Sequence, residues 1–344
     1  MPRRIVWTSL LVALIRVKTR IVPALAIGVA LFLPKPLEAD GYRWYRFSKA
    51  FIAQHFQNGE AFGSVVAKKW DAAKNVHPTK CGGDDGELHI GVFNSGLADA
   101  TSMPSLPAGD DDQWGLVAEL PDAGSGDGPT TLDSVIGQPV TFKGYFRVWN
   151  EGHDQGAVHP SNPHHVVEVH PAWAFETHDG GTSFESPELI RAMSGYQGYG
   201  ATKFNPIFKT IQAEEWPSAY QDDTYLYVSL LKAENFYQLP VTVTDVKAIT
   251  GGHEATVDVY SDTAFKTKRF EGLRCVSVVG SPYDQKWKKG EKTYLLGFFS
   301  VNLSRALAGA GQAFTEENAV PVPEALEFFV FGRPLGKALA SCAK

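Results

Sequence analysis

The stretch QPVTFKGYFRVW, from Gln138 to Trp149, decides the predicted fold. It is rich in β-branched and aromatic residues, which favours a strand, and Gly144 interrupts it at mid-length. A glycine inside a strand is typical of a bulge or a bend, and small closed barrels need strands that bend sharply. The stretch therefore predicts one bent strand of a β-barrel.

Four further strand-like runs lie around this stretch, each of them short and bounded by turn residues. They are FGSVVAKKW (Phe62–Trp70), GELHIGVF (Gly86–Phe93), WGLVAEL (Trp114–Leu120) and HHVVEVHPAWAF (His164–Phe175). A helical turn predicted at Thr131–Ile136 would join the third strand to the fourth. Five strands connected in this way are the order of a Greek-key barrel of the oligonucleotide/oligosaccharide-binding (OB) type. Residues 41–56 are predicted to form one amphipathic helix before the barrel.

The second half of the chain predicts another β-rich unit. Its strand-like runs are Thr224–Leu231, Leu239–Ile249, Glu254–Ser261, Leu273–Gly280, Lys292–Leu303 and Ala325–Gly332. The Gly- and Tyr-rich link GYQGYGATKFN precedes them, so we predict a domain boundary at residue 197. The predicted fold class is all-β with a few short helices: an N-terminal OB-like barrel (residues 40–196), then a second β-sandwich or barrel domain (197–335) and a flexible tail (336–344). The two halves show no convincing internal repeat.

The first 39 residues have the pattern of an export signal. A basic region precedes the 13-residue apolar run IVPALAIGVALFL (Ile21–Leu33), and the segment ends in the small residue Ala39. A spanning helix needs about 20 apolar residues, so this run is short for a membrane anchor. We predict a signal peptide over residues 1–39 and an exported protein, periplasmic or extracellular, with no integral membrane span if the signal is cleaved. Retention as an anchor, together with the earlier run Ile5–Ile15, is the alternative.

The net charge of the chain indicates which classes of binding partner to expect. The whole chain has a net charge of −6, and without residues 1–39 it has 26 basic and 37 acidic side chains. The overall field of so acidic a protein does not attract nucleic acid, so we predict a small polar ligand or a protein partner and regard nucleic acid as unlikely. Among the three cysteines, Cys275 lies in an apolar run and is predicted to be a buried free thiol.

Histidines are concentrated in one short segment, since six of the ten fall between residues 153 and 178. If residues 164–170 form a strand, Glu168 and His170 share one face, roughly 7 Å apart along the strand, and His165 points the other way. A carboxylate and an imidazole so placed can converge on one metal ion. Zinc needs three or four such ligands, and further donors are available in the preceding coil.

The sequence therefore predicts a site lined by histidine and glutamate on the N-terminal barrel, with zinc as the expected ion. The predicted metal ligands are Glu168, His170, His153, His159 and His164, and the predicted ligand-binding residues are Asp154, His165, Glu87 and His89. No HExxH pattern accompanies them. The competing interpretation is structural, because histidines in Ser-Asn-Pro and His-Pro turns often bond nearby backbone groups.

The Glu-x-His-Pro-x-Trp element at Glu168–Trp173, after the run GYFRVWNEGH at Gly144–His153, resembles the last two strands of small secreted bacterial barrel domains. The resemblance covers residues 60–178. It implies an OB-like fold and no settled function. From the export signal and the histidine- and glutamate-lined site, we predict an exported, non-enzymatic protein that binds a metal or a small polar ligand on its N-terminal barrel. The alternatives are a metal-dependent hydrolase using Glu168 and His170, and a structural or interaction protein of the cell envelope.

Overall fold

The fold is all-β, as predicted, with three short α-helices among the described residues. The computed structural model describes residues 42–56, 62–74, 78–79, 83–84, 88–93, 115–120, 139–150, 164–177, 181, 183–185, 198–213, 216–232, 236–249, 252–277 and 287–334. All of them belong to one compact unit, Leu37–Lys344. The predicted signal peptide, the predicted turn at residues 131–136 and the predicted tail at 336–344 lie outside the described residues.

The strands of the first half include five that form a closed ring. The strands are β1 (Tyr42–Ser48), β2 (Phe62–Lys74), β3 (Pro78–Thr79), β4 (Gly83–Asp84), β5 (Leu88–Phe93), β6 (Leu116–Leu120), β7 (Pro139–Val148), β8 (Val167–Thr177) and β9 (Ser183–Glu185). Strands β6, β5, β2, β7 and β8 are neighbours in that order, and a parallel pairing of β6 with β8 closes the ring. This is the strand order that the OB type requires.

The strands of the second half form another closed barrel. They are β10 (Ser218–Gln221), β11 (Tyr225–Leu231), β12 (Tyr237–Ile249), β13 (Gly252–Tyr260), β14 (Lys268–Ser277), β15 (Lys292–Val301), β16 (Val320–Pro321) and β17 (Leu326–Gly332). The barrel order is β12-β13-β14-β17-β15, and its one parallel pairing joins β14 to β17. Three helices accompany the strands: α1 (Lys49–His55), α2 (Ala201–Gln212) and α3 (Leu303–Ala310).

The two barrels share one strand topology, which the sequence does not reveal. In each barrel the third strand pairs in parallel with the fifth, and the fifth also pairs with the fourth. Glu168 on β8 lies opposite Arg147 on β7, and Glu327 on β17 lies opposite Ser300 on β15. Each barrel therefore buries a glutamate at the same register of its fifth strand.

A glycine marks the closest approach of the fourth and fifth strands in both barrels. A Cβ on Gly144 would lie 2.6 Å from the Pro171 carbonyl oxygen. A Cβ on Gly297 would lie 2.9 Å from the Phe329 carbonyl carbon and closer still to its oxygen. Register shifts occur at both glycines, so the predicted bend at Gly144 is present and recurs in the second barrel.

The predicted single helix over residues 41–56 is wrong for its first half. Residues Tyr42–Ser48 form β1, which pairs with β11, and α1 begins only at Lys49, where the Ser48 hydroxyl accepts a hydrogen bond from the Phe51 N–H. Tyr45 and Phe47 alternate with more exposed neighbours, which is the period of a strand. A partner strand more than 170 residues away decides the outcome, and no local signal could reveal it.

The two barrels pack through aromatic side chains at the end of β7, on β15 and just before β10. The Trp149 ring stacks on Phe299 at 5.7 Å and meets Trp216 edge-on at 5.6 Å. Pairing of β1 with β11 likewise crosses the predicted boundary at residue 197, which stays a prediction. Cys275 is fully buried and free, as predicted. Within the part of the chain that the structure describes, no helix combines the length and apolar character that crossing a membrane requires.

We predict that Gly297→Ala destabilises the protein by about 2–4 kcal/mol, because the new methyl group would overlap the backbone of β17 at Phe329. Urea unfolding of the full chain measures the effect. The matched control is Lys292→Ala, at an exposed position of the same strand, which we expect to change stability by less than about 0.5 kcal/mol. Equal stability of the two variants would contradict the close approach.

His55 is buried in an aromatic setting that makes it sensitive to pH. Its ring centroid lies 4.7 Å from that of Phe146 and 4.8 Å from that of Phe51. Burial lowers the pKa of His55 to about 4. The unfolded chain therefore binds a proton between about pH 6.5 and 4 that the folded chain resists, so stability falls as the pH falls through this window.

We predict that His55→Leu removes part of this acid sensitivity. The wild type should lose more stability than the variant when the pH is lowered from 7.5 to 4.5, because leucine has no proton to gain. Urea midpoints at both pH values give the comparison. Identical losses in the two proteins would show that His55 is not the group responsible.

Candidate metal centre

Neighbouring strands of the first barrel bring five ionisable side chains together. His89 on β5 lies opposite Glu119 on β6, and Arg147 on β7 lies opposite Glu168 on β8. Because β6 and β8 run parallel with Val117 opposite Glu168, the residues two positions further on, Glu119 and His170, also reach the same level. Side chains two residues apart on a strand share a face, so these five side chains converge.

The contacts form an alternating chain of imidazole and carboxylate groups. His170 Nδ1 lies 2.7 Å from Glu119 Oε2 and 3.3 Å from Glu168 Oε2. Each glutamate turns its other oxygen to a second histidine: Glu119 Oε1 lies 3.3 Å from His89 Nε2, and Glu168 Oε1 lies 3.3 Å from His165 Nε2. Both carboxylates are thereby fixed in orientation on either side of His170.

Arg147 joins this cluster to the second barrel. Its Nη1 donates to Glu168 Oε2 at 3.1 Å, and its Nε donates to the Phe299 carbonyl oxygen on β15 at 3.1 Å. The guanidinium carbon also lies 4.1 Å from the centre of the Phe298 ring. A planar guanidinium can make these three contacts at once, which an ammonium group cannot.

The cluster is fully enclosed. His89, Arg147 and His170 have no exposed surface, Glu119 is 1% exposed and Glu168 is 2% exposed. Aromatic rings from the second half of the chain cover His170: Phe298 at 4.5 Å, Phe236 at 6.2 Å and Phe331 at 6.5 Å between ring centroids. The site therefore lies between the two barrels.

Glu168 is held in its ionised form. Burial, the largest effect, would raise its pKa, but the Arg147 charge and the hydrogen bonds from His165 and His170 together hold the pKa well below its usual range. An ionised carboxylate in so dry a place requires a nearby cation.

Among the described residues, Glu119, Glu168 and His170 form a group that could hold a metal ion. One ligand atom from each lies within 4.8 Å of the others. In tetrahedral zinc coordination, neighbouring ligand atoms are about 3.4 Å apart, as follows from bonds of about 2.1 Å. The separation of 3.3 Å between His170 and Glu168 matches this spacing, whereas the 2.7 Å between His170 and Glu119 would have to widen. Nitrogen and carboxylate oxygen are ligands that zinc accepts.

The predicted site residues divide into two groups. Glu168, His170, His165 and His89 come together, and the predicted shared face of Glu168 and His170 is present. His153, His159, Asp154 and Glu87 lie outside the described residues. His164 is half-buried, and its carbonyl oxygen accepts a hydrogen bond from the Gly115 N–H. The prediction that His165 points away from the face shared by Glu168 and His170 is wrong, because β8 begins only at Val167 and strand alternation does not apply before it.

Sequence reasoning missed Glu119 and Arg147. Each is a charged residue between two apolar neighbours in a strand, in LVAEL for Glu119 and in YFRV for Arg147. A charge flanked by buried residues on both sides needs a partner, so this pattern was an available signal. The identity of the partner depends on strand register, which the sequence did not provide.

Comparison with known proteins gives weak structural neighbours alone. No protein-family model and no curated protein matches the chain. A murine DNA-binding protein bound with double-stranded DNA is 8% identical, with 78% of this chain and 93% of that chain covered and a TM-score of 0.18. A structure titled as the molecular basis for abrogation of activation of pro-inflammatory cytokines is 8% identical, with 79% and 92% covered and a TM-score of 0.17. The p202 HIN1 structure in complex with a 12-mer of double-stranded DNA is 10% identical, with 80% and 98% covered and a TM-score of 0.16.

These neighbours contradict the prediction that nucleic acid is an unlikely partner, because two of them are described as DNA complexes. The physical reason is that net charge averages over a whole surface, whereas nucleic acid contacts only part of it. We therefore withdraw net charge as a ground for exclusion. At these TM-scores the likeness itself carries no argument for what this chain binds.

We predict that Glu168→Gln destabilises the protein by about 3–5 kcal/mol, because it leaves the buried Arg147 guanidinium without its counter-charge. Urea unfolding at pH 7.5 measures the loss. Glu176→Gln, at an exposed position of the same strand, is the matched control and should change stability by less than about 0.5 kcal/mol. A Glu168→Gln protein as stable as the control would rule out a strong buried pair.

Proposed function

We propose that this is an exported, non-enzymatic binding protein whose first barrel holds one divalent metal ion, zinc, on Glu119, Glu168 and His170. The observation that carries the proposal is the convergence of two carboxylates and an imidazole nitrogen within 4.8 Å. Export is supported by the signal-like pattern of residues 1–39.

The surroundings of the three ligands support a metal. Ligating carboxylates in metal sites are usually oriented by hydrogen bonds from outer groups, and removing those groups weakens metal binding. Here His89 and His165 hold the outer oxygens of Glu119 and Glu168. The carboxylates therefore do not have to be ordered when an ion arrives, which lowers the entropic cost of binding.

Burial favours binding over hydrolysis. A catalytic zinc keeps an open position for water and substrate. The side chains of this site are at most 2% exposed and lie beneath Phe236, Phe298 and Phe331. A structural or stored ion suits such an enclosed place better than a reaction centre does.

A second candidate, a purely structural role in the cell envelope, is favoured by the charge balance. Among the described residues of the cluster, two carboxylates face one guanidinium. A proton on His170, which lies between the carboxylates, would make the cluster neutral without any metal. A proton and a metal ion would thus compete for the same nitrogen atom, Nδ1 of His170.

Metal binding by the purified full chain distinguishes the two candidates. We predict that chelator-treated protein binds one Zn²⁺ per chain in isothermal titration calorimetry and that Zn²⁺ raises its melting temperature, because an ion that binds only the folded state stabilises it. Glu119→Gln should weaken binding by about tenfold or more, because it removes a charged ligand.

The exposed control Glu176→Gln should bind Zn²⁺ like the wild type. If neither calorimetry nor melting detects Zn²⁺, Co²⁺ or Mn²⁺ at pH 7.5, the metal proposal fails and the structural role remains.

A further inference from the structure

Arg147 and the proposed metal ion would both contact one oxygen atom, Oε2 of Glu168. Glu168 Oε2 accepts the Arg147 Nη1 hydrogen bond at 3.1 Å and is also the oxygen that lies 3.3 Å from His170 Nδ1. An ion bound to this oxygen at about 2.1 Å would lie at most about 5 Å from Nη1. Two positive charges would then share one buried carboxylate.

In the second barrel, the glutamate at the corresponding position of the fifth strand has its charge balanced by arginine side chains. Glu327, which has the register of Glu168, contacts Arg274, and Arg274 donates to Glu254 at 2.9 Å. Arg305 lies 3.8 Å from Glu254. Two guanidinium groups therefore face two carboxyl groups there.

Among the described residues, the corresponding cluster of the first barrel has one guanidinium group, Arg147, which contacts Glu168. The other charged partners of Glu119 and Glu168 there are histidines: His89, His165 and His170. The cluster thus has a fixed cation that covers part of its negative charge and leaves the remainder for an exchangeable one.

We propose that Arg147 limits the affinity of this centre for divalent ions: its guanidinium competes with an ion bound by Glu119, Glu168 and His170 for the same carboxylate oxygen. This inference rests on the proposed metal-binding function. Arg147 touches no ion itself, and it acts through Glu168 Oε2, so it is a positioning residue. Its contact with the Phe299 carbonyl oxygen fixes the guanidinium and prevents it from moving away from an incoming ion.

If Arg147 competes with the ion, a neutral residue at this position raises Zn²⁺ affinity. If Arg147 only supports the structure, the same substitution lowers it. Arg147→Gln removes the charge and retains a hydrogen-bond donor, so Zn²⁺ affinity should rise by about tenfold or more, because the repulsion of a divalent ion at this distance is relieved. Competition against a chromophoric chelator, with the metal-free full chain at pH 7.5, measures the change. Arg147→Lys retains the charge but not the three fixed contacts of the guanidinium, so its Zn²⁺ affinity should rise less than that of Arg147→Gln.

Arg274→Gln in the second barrel is the matched control. It also removes a buried arginine from a glutamate on the fifth strand, and it should lower stability while leaving Zn²⁺ affinity unchanged. If Arg147→Gln does not fold, Arg147→Met is the second neutral variant, because its flexible thioether chain can retain the packing against Phe298.

The outcomes separate this inference from the proposed function. Binding by the wild type with equal or weaker affinity in the neutral variants overturns the role of Arg147 and leaves the metal site standing. Binding by the neutral variants alone supports the role of Arg147 and shows that the native chain is not a metal-binding protein. Absence of binding in every protein overturns both.

Discussion

The ion pair of Arg147 and Glu168 is the contact on which the rest of the arrangement depends. It links the fourth strand of the first barrel to the fifth, and through the Phe299 carbonyl oxygen it links the first barrel to the second. Burial alone would raise the pKa of Glu168, and the fixed guanidinium charge reverses that effect. Because the carboxylate stays ionised, it can accept hydrogen bonds from His165 and His170, and these bonds order the cluster around it.

Strand positions could be predicted from the sequence because their signals are local. Alternation and turn residues gave runs that overlap β2, β5, β6, β7 and β8, and six further runs in the second half. What the sequence could not provide was pairing. Residues 42–48 have aromatic spacing that fits a helix as well as a strand, and the decision depends on β11. The repeat is likewise hidden, because Gly144 with Glu168 and Gly297 with Glu327 correspond only once the register is known.

The difference between local signals and strand pairing also explains which site residues could be predicted. Glu168 and His170 were predicted to share a face because two-residue spacing on one strand is a local property. Glu119 and Arg147 come from other strands, and their approach follows from a parallel pairing of β6 with β8 that closes the ring. Conversely, the density of histidines between residues 153 and 178 suggested a site shared by one strand and the coil before it, whereas the contacts of the described residues also come from neighbouring strands.

The aromatic cover over His170 has a kinetic consequence. Phe236, Phe298 and Phe331 all belong to the second half of the chain, so nothing reaches the imidazole unless the halves part or the rings swing aside. The residence time of any species enclosed there is then governed by the frequency of these opening motions rather than by the strength of the bonds that hold the species. Uptake or release of an ion by the folded protein would then require a local opening of the structure, and its rate would depend on the free energy of that opening.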